Sequence, residues 1–324
     1  MSVWLEFAIQ RKSEDFIHVL DSERKSARCP YCHKPVVPKI GKIKAPHWAH
    51  KGVSCAPLKR NGVQTYATIP LYNDFTLNLS SNERIALHAL WKEFQDREFV
   101  KKHHRGDQSS RFYRSALGCL YKNTHIKQRY QTLQRLVKKG CLQKKYHEVF
   151  NFSHTFEDYF RVLPYGQIPL GVLSLRQFWI EQHIHIQRRF DFFDHQLWPA
   201  DENNTAVIDA KIFKRSYERL QQQRLYWIEI YDEGTLKAYK IGVTNNFARR
   251  KEEILRVLQN GYMTHPRIEL IYLMEMAASV ERYILYKYAE DRITYGSMSE
   301  FFKPDGINLG ILHQELNELA DSCS

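Results

Sequence analysis

The stretch Leu225-Tyr226-Trp227-Ile228-Glu229-Ile230-Tyr231, then Asp232-Glu233-Gly234, then Tyr239-Lys240-Ile241-Gly242-Val243-Thr244 decides how the last third of the chain folds. β-Branched and aromatic residues fill both runs, and the Asp-Glu-Gly between them carries turn chemistry, so two strands joined by a turn are expected. A helix capped by Thr244 or Asn245 should follow and end at Asn260-Gly261. Its apolar stripe is Phe247, Ile254 and Val257 or Leu258, and Arg250 lies on that stripe. An arginine on an inward face needs a partner, and a phosphate suits it. Arg249 points elsewhere, toward solvent. A third strand, Ile268 to Met274, precedes a helix from Ala277 to near Asp291. There Ala278, Glu281, Leu285 and Tyr288 fall on one line, which puts Glu281 on the apolar side. An unpaired carboxylate in that position is costly. A single such residue usually marks a salt bridge; Arg250 and Glu281 together, one per helix, point to a site.

These residues resemble the GIY-YIG endonuclease superfamily, and its phage-type branch in particular. Lys240-Ile241-Gly242 matches the second motif of that branch, and the family arginine, eight residues beyond the glycine, lands on Arg250. The metal-binding glutamate early in the next helix matches Glu281, and the closing Glu-aromatic-Phe signature matches Glu300-Phe301-Phe302. The resemblance covers about eighty residues. It implies an α/β domain with a small antiparallel sheet that hydrolyses phosphodiester bonds with Mg²⁺ or Mn²⁺ bound at Glu281. Tyr226 is then the first-motif tyrosine that positions or deprotonates water, with Tyr231 as the runner-up. Arg250 would stabilise phosphorane charge, and Lys240 would lower the tyrosine pKa or contact phosphate. The chain departs from the pattern in three places. No Gly-Ile precedes either tyrosine, Lys240 replaces the superfamily's second tyrosine, and Glu300 stands near where a late asparagine belongs.

Upstream, 324 residues suit several domains. No apolar run approaches the ~20 residues of a membrane span, and no secretory pattern opens the chain, so a soluble cytoplasmic protein without a membrane partner is expected. The net charge of +12 is concentrated: residues 101–150 hold thirteen Lys/Arg against two acids, Asp107 and Glu148. A basic block interleaved with Tyr, Phe and Gln fits a polyanion, because neutralised phosphates release counterions.

Three of the six cysteines cluster at Cys29, Cys32 and Cys55, with His47 and His50 between them. A Cys-x-x-Cys turn aims two thiolates at one metal, and Zn²⁺ needs four ligands of the five offered. Gly41, in a lysine-rich turn, suits a β-hairpin that brings the halves together. About fifty residues here resemble the zinc-binding amino-terminal segment of competence protein CoiA-like proteins, in which His47-Trp48-Ala49-His50 matches a His-Phe-Ala-His-like motif. Cys29, Cys32, His50 and Cys55 are the preferred ligands, with His47 as the alternative histidine. Such a closed site is structural.

In the middle, Ser80 or Ser81 should cap a helix through Phe94, and a second helix is expected over 112–121. A third should begin after Asn123 or Thr124, run to Lys138 and end at Gly140. Its inner face is Ile126, Tyr130, Leu133 and Val137; Lys127, Gln128, Gln131, Arg135 and Lys138 face out. Arg and Gln are the side chains that pair with base edges in the major groove. Lys144 and Lys145 lie in a short basic wing, and three helices followed by a hairpin read as a winged helix-turn-helix.

The expected protein is thus α+β and multidomain. It comprises a zinc-binding unit (1–62), a basic winged-helix-like unit (78–152), a helical connector of unknown role (153–222) and a nuclease domain (223–324). Duplex DNA is the expected partner, in a phage, mobile-element, defence or DNA-processing setting. A nucleic-acid-binding protein with a decayed nuclease fold and an RNA-directed nuclease are the alternatives.

Overall fold

The structure, a computed structural model, describes residues 5–22, 26–41, 46–59, 66–101, 126–148, 156–196, 204–275, 278–296, 298–306 and 308–323. The side chains of 93–101, 126–129, 145–148, 156–159, 196, 278 and 323 are excepted. The chain is mixed α and β with small antiparallel sheets, and it divides into two compact units. One comprises Met1–Tyr72, His183–Arg224 and Glu275–Ala278; the other comprises Asn73–Gln182, Leu225–Met274 and Ser279–Ser324. Among the described residues no helix is long and apolar enough to cross a membrane.

The first unit is built on a five-stranded sheet of β1 (Phe7–Gln10), β2 (Phe16–His18), β3 (Ala27–Arg28), β4 (Pro35–Lys39) and β5 (His47–His50). The order is β2-β1-β3-β4-β5, with antiparallel pairing throughout. Strands this short bury little area each. Their core therefore depends on Trp48, Val36, Ala8, Val19 and Leu58, packed around the buried Cys29. The β4–β5 register sets Val36 opposite His50 and Lys39 opposite His47, as the expected hairpin requires.

Two helices complete this unit. The second half of α3 (Leu175–Gln196) and α4 (Thr205–Gln221) pack through Phe190 and Phe193 against Phe213, with ring centroids 5.1 and 5.4 Å apart. Asn204 caps α4 by accepting from the Ala206 amide. Ile208 and Ile212 of α4 pack on Phe7.

In the second unit, α1 (Ser81–Lys101) starts with a capping box: the Ser80 amide donates to Glu83 and the Glu83 amide to Ser80 Oγ. Helix α2 (Ile126–Lys138) ends where Gly140 takes a φ of +73°, a left-handed conformation that suits glycine. The expected helix at 112–121 lies outside the described residues. Strand β6 (Leu142–Glu148), which takes in Lys144 and Lys145, pairs antiparallel with β7 (Phe156–Val162) in a two-stranded sheet.

The second five-stranded sheet holds β8 (Arg224–Asp232), β9 (Thr235–Thr244), β10 (Pro266–Glu275), β11 (Arg292–Tyr295) and β12 (Met298–Phe302), in the order β10-β8-β9-β12-β11. Glu233 and Gly234 join β8 to β9, both with positive φ (50° and 78°), a turn whose twist matches that of the strands. Tyr226, Ile228 and Ile230 alternate onto one face, against Ile254 and Leu258 of α5 (Phe247–Gln259). Trp227 takes the other face, stacked on Tyr239 at 5.3 Å and edge-on to His313 of α7 (Leu309–Cys323). The β11–β12 hairpin and α7 were not foreseen, because short strands and a terminal helix give weak periodic signals.

Helix α6 (Ala278–Lys287) is fixed by aromatic packing. Tyr283 stacks on Phe178 at 4.2 Å, touches Phe75, and donates its hydroxyl to the Leu173 carbonyl. A stack of this kind adds roughly 0.5–1.5 kcal/mol beyond the area it buries. It also fixes the rotation of α6 about its axis, and hence the direction of Glu281.

Candidate functional site

Tyr226, Lys240, Arg250, Glu281 and Glu300 form one electrostatically coupled group in the second unit. Strand alternation puts Tyr226 on the α5 side of the sheet, and its hydroxyl lies against Gly242 of β9. A Cβ on Gly242 would stand 2.3 Å from the Tyr226 Oη and 2.5 Å from Cζ, so the glycine of Lys-Ile-Gly is a space requirement. Arg250, one turn into α5, donates from Nε to Tyr226 Oη at 3.4 Å and from Nη1 to Glu253 at 3.0 Å. The cap of α5 is Asn246, whose side chain accepts from the Arg249 amide; Thr244 instead closes the turn with Asn246. This corrects the expected cap by one or two positions. Arg249 is exposed and shares Glu253 with Arg250.

The cation facing the Tyr226 hydroxyl is therefore Arg250. Burial pushes the Tyr226 pKa up to about 12 against the pull of Arg250, so the hydroxyl stays protonated at neutral pH. Tyr231, on the opposite strand face, hydrogen-bonds Glu229 and lies under Arg267.

Lys240 is fully buried, with Nζ 2.5 Å from Glu300 Oε2 and 4.7 Å from the Phe301 ring centre. Burial lowers its pKa and Glu300 opposes that shift. Glu281 is only 9% exposed and has no hydrogen-bond or ion-pair partner among the described residues. Its pKa is raised to about 7, first by burial and next by the charge of Glu300, while Arg282, Lys240 and Arg250 act the other way. Sequence reasoning named the four residues and the Glu300 signature that the structure brings together. It missed the Lys240–Glu300 pair, because the two lie 60 positions apart.

In the first unit, Cys29, Cys32, His50 and Cys55 converge, with their ligand atoms all within 4.8 Å of one another. Cys29 and Cys32 flank a turn in which the Cys29 amide donates to Lys34 O and the His33 amide to Cys29 O, with His33 at a φ of +56°. His50 comes from β5, on the strand face that carries Trp48, and Cys55 precedes the turn Ala56–Lys59. The Cys29 and Cys55 sulfurs are 3.8 Å apart, and Cys32 Sγ is 3.2 Å from His50 Nε2. Sulfurs 2.3 Å from a tetrahedral Zn²⁺ would be separated by ~3.8 Å, so the set could hold zinc. His47 projects from the opposite face of β5 and is outside the cluster. Burial, with the neighbouring thiols adding to it, pushes Cys29 up to about 12, as expected of packed thiols. Tyr31, inside the Cys-x-x-Cys turn, donates its hydroxyl to the buried Asp209 of α4 at 2.7 Å.

In the basic middle, Leu133 and Leu136 are buried, whereas Val137 is only half-buried; the inner stripe of α2 is thus centred on Leu136. Gln131 and Lys138 face out as expected. Arg135 is exposed but tethered, 3.4 Å from the buried Glu83 that Lys139 also contacts at 2.8 Å. Lys144 donates to Tyr130 Oη at 2.9 Å. The side chains of Lys127, Gln128 and Lys145 lie outside the described residues.

Residues 9–57 match the family described as Competence protein CoiA, N-terminal domain. The match takes in the end of β1, β2–β5 and all four clustered ligands, and covers none of the second unit. No curated protein and no solved structure matches the chain.

Proposed function

We propose that the protein is a metal-dependent endonuclease that hydrolyses phosphodiester bonds in duplex DNA. The observation that carries this reading is Glu281. A carboxylate nine-tenths buried and unpaired among the described residues is held against desolvation without a hydrogen bond or ion pair, in the field of three cations and a second carboxylate. Its oxygen donors fit a hard divalent ion, Mg²⁺ or Mn²⁺. When bound, that ion supplies Lewis acidity to a phosphate oxygen.

The chain's own groups divide the remaining work. Glu281 holds the ion. Arg250, 30% exposed, extends donors to a phosphate and favours the charge that builds during displacement. Tyr226, protonated and braced by Arg250 and Gly242, orients an oxygen by donating its hydroxyl hydrogen; its raised pKa excludes a phenolate base at neutral pH. Lys240 reaches no phosphate from its fully buried position and acts through Glu300. Zinc at the Cys/His cluster is structural, and the basic winged-helix-like middle holds the duplex.

The test is cleavage of duplex DNA, single-stranded DNA and RNA with Mn²⁺ by wild type and Glu281→Ala. Cutting of duplex DNA by wild type alone is expected, and equal cutting by both proteins would remove the site. The missing phenolate base favours a second reading, a nuclease fold that binds nucleic acid without cutting it. Retained binding with no metal-stimulated cleavage would select it.

A further inference from the structure

We propose that Glu300 is a second carboxylate of the cation site beside Glu281, and that buried Lys240 holds it in place. The inference deepens the nuclease reading and rests on it for the role of the ion.

Lys240 engages one oxygen of Glu300, Oε2; Oε1 has no partner among the described residues, and the side chain remains 31% exposed. Burying an ammonium group requires a close, well-placed counter-charge. Lys240 has that in Glu300, with the Phe301 ring face and the Ile241 carbonyl completing its surroundings. A purely structural ion pair would use up both charges and leave nothing nearby in need of a cation. Here Glu281 remains. Arg250 is matched by Glu253 and Lys240 by Glu300, whereas the buried Glu281 has no ion-pair or hydrogen-bond partner among the described residues.

The fold fixes this juxtaposition. Arg292 donates to the Leu285 carbonyl of α6 and to both the carbonyl and hydroxyl of Ser299, the residue before Glu300. Helix α6 and strand β12, which carry the two carboxylates, are thereby tied by one guanidinium. Lys240 then plays two parts. It orients Glu300, and it competes with the ion for that carboxylate, which keeps affinity in the moderate range of a hydrated Mg²⁺ or Mn²⁺ site.

The test is Mn²⁺ binding to the full, zinc-loaded chain without DNA, read as loss of the free-Mn²⁺ electron paramagnetic resonance signal. Glu281→Gln marks the affinity left when the site is lost. Glu300→Gln should weaken binding on the order of tenfold. The double variant Lys240→Met/Glu300→Gln, which removes both charges and strands neither, should bind as weakly as Glu300→Gln. Lys240→Met alone should bind more tightly than wild type. Wild-type affinity in Glu300→Gln or in the double variant overturns the proposal, as does a wild type that binds no Mn²⁺. If Lys240→Met fails to fold, the double variant decides alone. A wild type that binds Mn²⁺ through both carboxylates yet never cuts DNA would sink the nuclease reading and leave this site standing.

Discussion

The Cys29/Cys32/His50/Cys55 cluster and the Tyr226/Lys240/Arg250/Glu281/Glu300 cluster both gather charge-seeking side chains, on opposite plans. The first collects four donors from one small sheet within 26 positions and contains no countercharge of its own. The second draws on β8, β9, β12, α5 and α6, mixes three carboxylates with two cations once Glu253 is counted, and is already mostly neutralised. A site of the first kind holds its metal tightly and depends on it for folding. A site of the second kind keeps its shape without the metal and binds it weakly enough to exchange. The two centres should therefore respond oppositely to metal removal.

That contrast gives the largest expected effect. Structural zinc contributes roughly 10–16 kcal/mol in small modules, as much as the whole stability of a typical domain. Chelation, or Cys32→Ser, should release one zinc per chain and collapse the β1–β5 sheet, as read by metal analysis and circular dichroism. Mn²⁺ withdrawal should leave the fold of the second unit intact. If chelation leaves the melting profile unchanged, the first half of the comparison fails.

Gly242→Ala comes next. Its methyl would stand 2.3 Å from the hydroxyl of a fully buried tyrosine, so Tyr226 or β9 must shift. Overpacking of this kind costs about 1–3 kcal/mol. The shift would also move Tyr226 away from Arg250. Denaturant melts should show partial recovery in Gly242→Ala/Tyr226→Leu; strictly additive losses would mean the two residues do not touch.

The two centres were also unequally legible in the sequence. Cysteine spacing is a local signal, and it marked five candidate ligands of which four converge, because a two-residue gap and nearby histidines constrain geometry within a few turns of chain. Helical periodicity placed Arg250 and Glu281 on inward faces, and resemblance to a known motif order selected Tyr226. The pairing of Lys240 with Glu300 and the hairpin that delivers Glu300 depend on strand order. No local pattern records strand order. Glu83 shows the same blindness at smaller scale: its partner Arg135 lies on α2, and its partner Lys139, 56 positions away, lies just past the end of that helix.

Glu83 also yields a pH prediction. Burial raises its pKa, but hydrogen bonds from Lys139 and Ser80 outweigh that and hold it below its ordinary value of 4.5. A carboxylate with a depressed native pKa contributes stability that is complete above the unfolded value and is lost as pH falls through the native one. The second unit should therefore lose stability on acidification below 4.5. Glu83→Gln should cost about 1–2 kcal/mol at neutral pH, because its partners are partly solvated, and should flatten the acid limb. An unchanged acid limb in the variant would assign the loss to other carboxylates.

The smallest effect separates two residues that look alike on α2. Gln131 and Arg135 both face out, but Arg135 is tethered to Glu83 whereas Gln131 faces solvent. If α2 enters a groove, Gln131→Ala should weaken duplex binding by about 1 kcal/mol and leave the salt slope unchanged, since a neutral side chain displaces no counterion. Arg135→Ala should reduce the slope by about one if the guanidinium leaves Glu83 for a phosphate. If it stays with Glu83, the variant should lose stability and keep its slope. Titrations with one duplex at several salt concentrations distinguish these outcomes. Unchanged affinity in Gln131→Ala together with an unchanged affinity and slope in Arg135→Ala would make α2 a packing helix and move the duplex contact elsewhere in the basic block.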